Sequence, residues 1–170
     1  MGRASTKKNK NVYHIAREDM GLTREGASEL LQTIPPERIE RIESEKMVPH
    51  PQDVLIMSKG YKAPHLCNYY CSNECPIGQE YVPEIKVKDL SQIVLEMLAS
   101  LNTMKRSQER LIEITADGKI DDSELEDFIF IQNELERISI TIDTLQLWVE
   151  QMIADEKINI DKYNAIKNNK

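Results

Sequence analysis

Two arginines, Arg38 and Arg41, have the spacing of side chains that read DNA bases. They stand three residues apart on a predicted short helix, on the side opposite Ile39 and Ile42, which an amphipathic helix would bury. A guanidinium can donate two hydrogen bonds to O6 and N7 of guanine, which discriminates against a wrong base by about 1–3 kcal/mol. We therefore expect Arg38 and Arg41 to face the major groove of double-stranded DNA.

Two further cations flank this helix. Arg24 lies near the start of the preceding predicted helix and Lys46 follows the end of this one, and both positions suit contacts to phosphates. Four carboxylates accompany them: Glu37, Glu40, Glu43 and Glu45. Because carboxylates repel phosphates and pair with arginines, the alternative is a helix pair used only for packing or for docking to a protein.

A helix, a tight break and a second helix over residues 21–46 would position these side chains. Thr23 is a typical N-cap for the first helix, and Ala27, Leu30 and Leu31 are spaced to face a core. Pro35-Pro36 cannot continue a helix but suits the first turn of a new one. The pattern predicts a helix-turn-helix, whose second helix enters the major groove.

The order of features over residues 11–62 resembles the Xre/Cro-repressor family of helix-turn-helix domains. The matching features are Gly21-Leu22-Thr23, the small pair Ala27-Ser28, a break at 32–35, Ile42-Glu43, Lys46, Pro49 and an apolar helix at 54–57. The break is one residue longer than is common in the family, and Pro35 replaces the usual Ser or Thr cap. The resemblance implies sequence-specific DNA binding by a transcriptional regulator.

Charge is divided unevenly along the chain, whose net charge is −7. Residues 1–62 hold 11 Lys and Arg against 9 Asp and Glu, whereas residues 63–170 hold 11 against 20. A basic DNA-binding part joined to an acidic part that phosphates repel would show this division. Residues 1–10 carry four cations and predict a disordered arm that lies along DNA or, alternatively, a solvated tail.

Three thiols, Cys67, Cys71 and Cys75, recur every four residues, so a helix would place them on one face. With His65 or a water they could hold zinc, or they could act as a redox sensor. The pattern favours buried thiols without a cofactor, because free cysteines are among the most buried residue types. An odd number of cysteines without an export signal indicates reduced thiols in a cytoplasm.

Catalysis is not predicted. The three histidines, His14, His50 and His65, have no evident nucleophile beside them in the sequence. With 6 glycines in the chain, no phosphate-binding glycine-rich loop is present. We expect no enzyme, no membrane span and no bound cofactor.

Two long apolar repeats of alternating three and four residues follow. The first predicts a seam of Leu90, Val94, Met97, Leu101, Met104, Gln108 and Leu111. The second predicts Phe128, Ile131, Leu135, Ile138, Ile142, Leu145, Val149 and Met152. Two such helices form an antiparallel hairpin. Further apolar residues lie off the second seam, and one hairpin alone cannot bury two apolar faces. We therefore expect a homodimer through residues 87–155 that forms a four-helix bundle. The alternative is that the hairpin folds back on its own head domain.

Together these features predict an all-α fold, with a small helix-turn-helix domain followed by a long antiparallel hairpin. The predicted divisions are a basic arm (1–10), a helix-turn-helix domain (11–62), a cysteine-containing connector (63–86), the hairpin (87–155) and a tail (156–170). The expected function is that of a dimeric cytoplasmic transcriptional regulator of the Xre-like type. The alternative is a protein-interaction adaptor with a degenerate helix-turn-helix and an acidic coiled coil; a metal- or thiol-dependent sensor is a further possibility.

Overall fold

A computed structural model describes residues 10–168, which form nine α-helices and no β-strand. In chain order they are α1 (Val12–Asp19), α2 (Arg24–Leu31), α3 (Pro36–Glu43), α4 (Pro51–Gly60), α5 (His65–Asn73), α6 (Pro76–Tyr81), α7 (Leu90–Ile114), α8 (Leu125–Ala154) and α9 (Ile160–Asn168). The predicted all-α fold with a long helix pair is confirmed. The predicted basic arm lies outside the described residues except for Lys10. None of the helices in residues 10–168 has a stretch long and apolar enough to cross a bilayer.

The chain divides into two compact units. The first, which we call the head unit, comprises the described residues up to Glu84 together with those from Val149 onward. The second, the hairpin unit, is Ile85–Trp148. The segment predicted as a connector holds α5 and α6, and both belong to the head unit.

The core of the head unit collects the apolar faces of α1 to α5. Its buried members are Tyr13, Ala16, Ala27, Leu31, Ile34, Ile39, Ile42, Val54, Met57, Tyr61, Ala63 and Leu66. Asn11 ties the first helix to the third, because its side chain accepts from the His14 amide at 3.0 Å and donates to the Ile42 carbonyl at 2.8 Å. These contacts fix α3 on the same core as the helices on either side of it.

The break between α2 and α3 is short and firmly held. Gln32 ends α2 with a φ of 60°, and Ile34 then inserts a fully buried side chain into the core. Pro35 occupies the N-cap of α3 and Pro36 its first turn, where a missing N–H costs nothing. No side chain caps this helix, so its position depends on the buried Ile34, Ile39 and Ile42.

The hairpin unit joins α7 to α8 through a turn at Gly118, whose φ is +72°. Asp89 caps the start of α7 by accepting from the Gln92 amide at 3.0 Å. Asp121, just before α8, accepts from the Ser123 hydroxyl at 2.6 Å and from the Ser123 and Glu124 amides. These hydrogen bonds, that of the hydroxyl first, lower the pKa of its carboxyl. Across the pair, Arg110 donates to Asp127 at 2.6 Å, an exposed contact that places these two positions opposite each other.

The buried seam of the hairpin differs from the predicted one by about one residue position. Its buried residues are Ile93, Ser100 and Ile114 on α7 and Ile131, Glu134, Thr141, Thr144 and Leu147 on α8. The hydroxyls of Thr141 and Thr144 each donate to a carbonyl of their own helix, which lowers the cost of burying them. Apolar periodicity therefore predicts the hairpin, and the predicted seam residue Ile131 is buried, but most of the buried residues lie one position before the predicted ones.

Candidate nucleic-acid interface

The second helix of the predicted helix-turn-helix, α3, buries one face and exposes the other. Ile39, Ile42 and Glu43 are buried, whereas Glu37 and Arg41 are exposed. One turn separates Glu37 from Arg41, so the two lie on the same side of the helix. This exposed side is the part of α3 that can meet a partner.

Arg41 is at the centre of this exposed side, and within residues 10–168 its guanidinium has no hydrogen bond or ion pair. All five of its N–H donors are therefore available to a ligand. Of the two arginines that the sequence predicts to read bases, Arg41 has the unoccupied guanidinium donors that such a role needs.

Arg38 is engaged inside the head unit. Its Nη2 lies 2.6 Å from Oδ2 of Asp53, and its Nε donates to the same oxygen at 2.9 Å. Asp53 also accepts from the His50 amide at the start of α4, at 3.3 Å. Asp53 is the third residue of α4, which begins at Pro51. Arg38 thus joins α3 to the first turn of α4, although its side chain is still 41% exposed.

Arg24, predicted to contact phosphate, instead donates to Glu43 at 2.9 Å. Glu43 is almost fully buried, and Arg17 donates to both its oxygens, at 2.5 and 3.0 Å. Burial alone would lower the pKa of Arg17, but its hydrogen bonds to Glu43 and the charge of that carboxylate outweigh burial and raise it. This three-residue group, which we call the Glu43 ion cluster, connects α1, α2 and α3.

Lys46 is strongly exposed, with 65% of its side chain accessible. Its Nζ lies 3.3 Å from the Glu40 carboxylate, which is a long and solvent-screened pair. Since exposed pairs of this kind contribute little, Lys46 can exchange Glu40 for another anion at small cost. Its position one turn after α3 suits a phosphate contact.

The outward surface of α3 and the residues after it is close to electrically neutral. Glu43 points inward and pairs with arginines, so one of the four predicted carboxylates does not face a partner. Glu37, Glu40 and Glu45 remain on the outside, opposite the cations Arg41 and Lys46. The surface therefore carries a small net negative charge, as the helix sequence does, and it is not a basic patch.

The three cysteines lie on α5 and at its end, each partly buried and with a free thiol. Burial raises the pKa of the Cys71 thiol, and negative charge on Cys75 and Cys67 would raise it further. Burial also lowers the pKa of His65, against the opposing effect of Asp19. Within residues 10–168, no three His, Cys, Asp or Glu side chains are grouped so that they could hold a metal ion.

The buried ion pair between Arg17 and Glu43 in the head unit was not predicted from the sequence. Arg17 is one turn after Tyr13, and Glu43 is one turn after Ile39, so each follows a core residue on the same helix face. Tyr13 also donates to Glu74 at 2.8 Å. A charged residue that continues an apolar face is the signal that could have identified Arg17 and Glu43 as partners.

Comparisons of the chain with protein-family models, with curated proteins and with solved structures find no match.

Proposed function

We propose that this protein is a sequence-specific DNA-binding transcriptional regulator of the Xre-like type, acting in the cytoplasm as a homodimer. The observation that carries the proposal is the exposed face of α3, with Arg41 at its centre and free of partners within residues 10–168. In the proposed complex this face enters the major groove and Arg41 binds a guanine edge.

The rest of the head unit supports α3 in that role. The Glu43 ion cluster and the Arg38–Asp53 pair hold the helix to α1, α2 and α4. A helix that is fixed before binding loses little conformational freedom when it enters the groove. We therefore reassign Arg24 and Arg38 as positioning residues, while Arg41 reads a base and Lys46 contacts a phosphate.

The hairpin unit supplies the proposed dimer contact. Leu90, Val94 and Leu101 are 40–47% exposed on α7, and Leu135 and Ile142 are 48% and 44% exposed on α8. On each helix the stripe contains residues that directly follow a buried one, as Leu101 follows Ser100 and Ile142 follows Thr141. Because the helices are antiparallel, this common displacement places both stripes on one side of the hairpin. A second copy would bury this side in a four-helix bundle.

The test compares two arginine variants in full-length protein. A DNA sequence is first selected by the wild-type chain, and affinity is then measured by fluorescence anisotropy between 50 and 200 mM salt, where phosphate contacts make binding fall steeply. Arg41→Ala should weaken the selected sequence by about 5- to 100-fold and leave non-specific binding nearly unchanged. Arg106→Ala, an exposed arginine of α7, is the matched control and should change neither.

Equal losses on selected and unrelated DNA would refute base reading by Arg41. Absence of DNA binding at 50 mM salt would refute the proposed function. That result would instead favour the adaptor. One observation supports this second candidate: Arg24, Arg38 and Lys46 already have carboxylate partners within the chain.

A further inference from the structure

A cleft of about 650 Å³ opens in the head unit where α8 ends. Its lining comes from α4, the start of α5, the last turn of α8 and the first residue of α9. This volume is within the range of about 300–1,000 Å³ typical of small-molecule sites. The apolar part of the lining consists of Leu55, Pro64, Cys67, Ile153, Ala154 and Ile160.

Two of these apolar side chains are strongly exposed although they line a concave surface. Leu55 is 51% exposed and Ile160 is 50% exposed. A ligand with an apolar body would remove their surface from water, which favours binding. The cleft therefore favours a ligand that is largely hydrocarbon.

The charged side chains that line the cleft are separated by sign. Lys59 and Lys62 come from the α4 side, and Glu150 and Glu156 come from the α8 side. Lys62 is paired with Glu156 at 2.8 Å, and its carbonyl accepts from Gln151 at 3.1 Å. The side chain of Lys59 has no hydrogen bond or ion pair with any residue in 10–168. The α4 side thus presents one ammonium with a carboxylate partner and a second without one.

We propose that this cleft binds an amphipathic monocarboxylate, with its apolar chain against Leu55 and Ile160 and its carboxylate on Lys59. The Lys62–Glu156 pair already holds a carboxylate against the α4 side, and the ligand's carboxylate makes the equivalent pair with Lys59. The carboxylate of Glu150, the other charged lining residue, also has no hydrogen bond or ion pair with any residue in 10–168, so a cationic amphiphile is the competing occupant that the experiment must separate. The site is independent of DNA binding by α3.

The experiment uses Cys67, which lines the cleft, as its reporter. Full-length protein is alkylated with iodoacetamide, and the rates at Cys67 and Cys75 are followed by peptide mass spectrometry. The probes are decanoate, decanol and decyltrimethylammonium, each below its micellar concentration. Decanoate should slow alkylation of Cys67 severalfold relative to Cys75, decanol should need a higher concentration, and the cation should protect least.

Variants separate the carboxylate contact from the apolar contact. Lys59→Ala should weaken protection by decanoate about fivefold, as for one partly exposed ion pair, and leave decanol unchanged. Lys59→Arg should retain decanoate binding, and Lys105→Ala, an exposed lysine of α7, is the matched control. Ala154→Phe, which fills the cleft, should abolish protection by all three probes. Equal protection by all probes, stronger protection by the cation, or no protection of Cys67 would each overturn the proposal.

Discussion

At the scale of single residues, the arginines of the head unit carry the same charge but differ in their partners. Arg17 and Arg24 converge on Glu43, Arg38 holds Asp53, and Arg41 is free among residues 10–168. The difference depends on which carboxylate each guanidinium reaches. An exposed ion pair is worth about 0–1 kcal/mol, whereas removing one member of a buried pair costs about 3–5 kcal/mol. The two kinds of pair therefore predict different outcomes on substitution.

Glu43→Gln should destabilise the head unit strongly. The amide keeps the shape of the carboxylate but removes its charge, which leaves the buried Arg17 cation uncompensated. We expect a loss of about 3 kcal/mol in the free energy of unfolding, measured by urea titration. Glu37→Gln, on the exposed side of the same helix, is the control and should change stability by less than about 0.5 kcal/mol. A loss for Glu43→Gln no larger than that of the control would contradict a structural role for the cluster.

The carboxyl of Glu74 gives the head unit a dependence on pH. Burial raises its pKa; the hydrogen bond from Tyr13 opposes this, and the charge of Glu45 adds to it. The folded protein therefore holds this proton more tightly than the unfolded chain. Its contribution to stability is complete below the ordinary carboxyl pKa and is lost as pH rises through the raised value.

Glu74→Gln should accordingly unfold at a higher temperature than the wild type at pH 7, because the amide carries no charge that burial penalises. The difference should shrink toward pH 4, where the wild-type carboxyl takes up its proton. Thermal unfolding at both pH values is the measurement. Glu80→Gln, on an exposed position of α6, should show no such dependence. A gain of equal size at both pH values would mean that charge is not the cause.

These partners explain what the sequence could not reveal at this scale. The exposed side of α3 is predictable from the spacing of Ile39 and Ile42, since burial follows the helical period. The engagement of Arg38 is not, because Asp53 is fifteen residues away and meets it only when α4 packs beside α3. Likewise, the sequence alone indicates that Glu43 is a surface charge that repels phosphates. Its partners Arg17 and Arg24 reach it only because α1 and α2 pack beside α3.

At the scale of elements, the packing of α6 on α5 depends on a glycine. A Cβ at Gly78 would overlap the backbone carbonyl of Cys71, and backbone cannot move aside as a long side chain can. Gly78→Ala should therefore cost about 1–3 kcal/mol of stability, the usual penalty for overpacking. The matched control is Gly26→Ala in α2, where the nearest atom would be 3.5 Å away and the higher helix propensity of Ala should stabilise slightly. Urea titrations of both variants provide the measurement, and equal effects would contradict close packing at Gly78.

The apolar repeat of the hairpin predicts its two helices but not which of their faces are buried. Apolar residues at alternating intervals of three and four correctly indicate two long helices. They do not decide which stripe the two helices bury, because α8 carries apolar side chains on several sides. The buried stripe contains Ser100 and Thr141, whereas the neighbouring Leu101 and Ile142 are exposed. Only packing, not composition, distinguishes these neighbouring stripes.

At the scale of the whole molecule, the exposed stripe of the hairpin unit is the surface expected to join two copies. Arg110 lies opposite Asp127 in the antiparallel pair. Leu101 therefore lies at about the level of Leu135, and Val94 at about the level of Ile142. Contiguous apolar surface of this kind usually marks an interaction site. In a two-fold dimer each substitution enters the interface twice, so a single charge placed there acts at two positions.

Ile142→Glu should therefore convert the proposed dimer to a monomer without unfolding it. The side chain is 44% exposed, so a carboxylate there is hydrated in the single chain but loses water when a second copy covers it. We expect the dissociation constant measured by sedimentation equilibrium to rise at least about tenfold, with an unchanged helical circular dichroism spectrum. Leu95→Glu is the matched control, because Leu95 is 68% exposed on the side of α7 away from the seam. If both variants weakened association equally, or if the wild type remained monomeric at high concentration, the stripe would not be a dimer interface. DNA affinity then gives an independent check, since loss of the dimer should weaken binding to a two-site operator more than binding to one half-site.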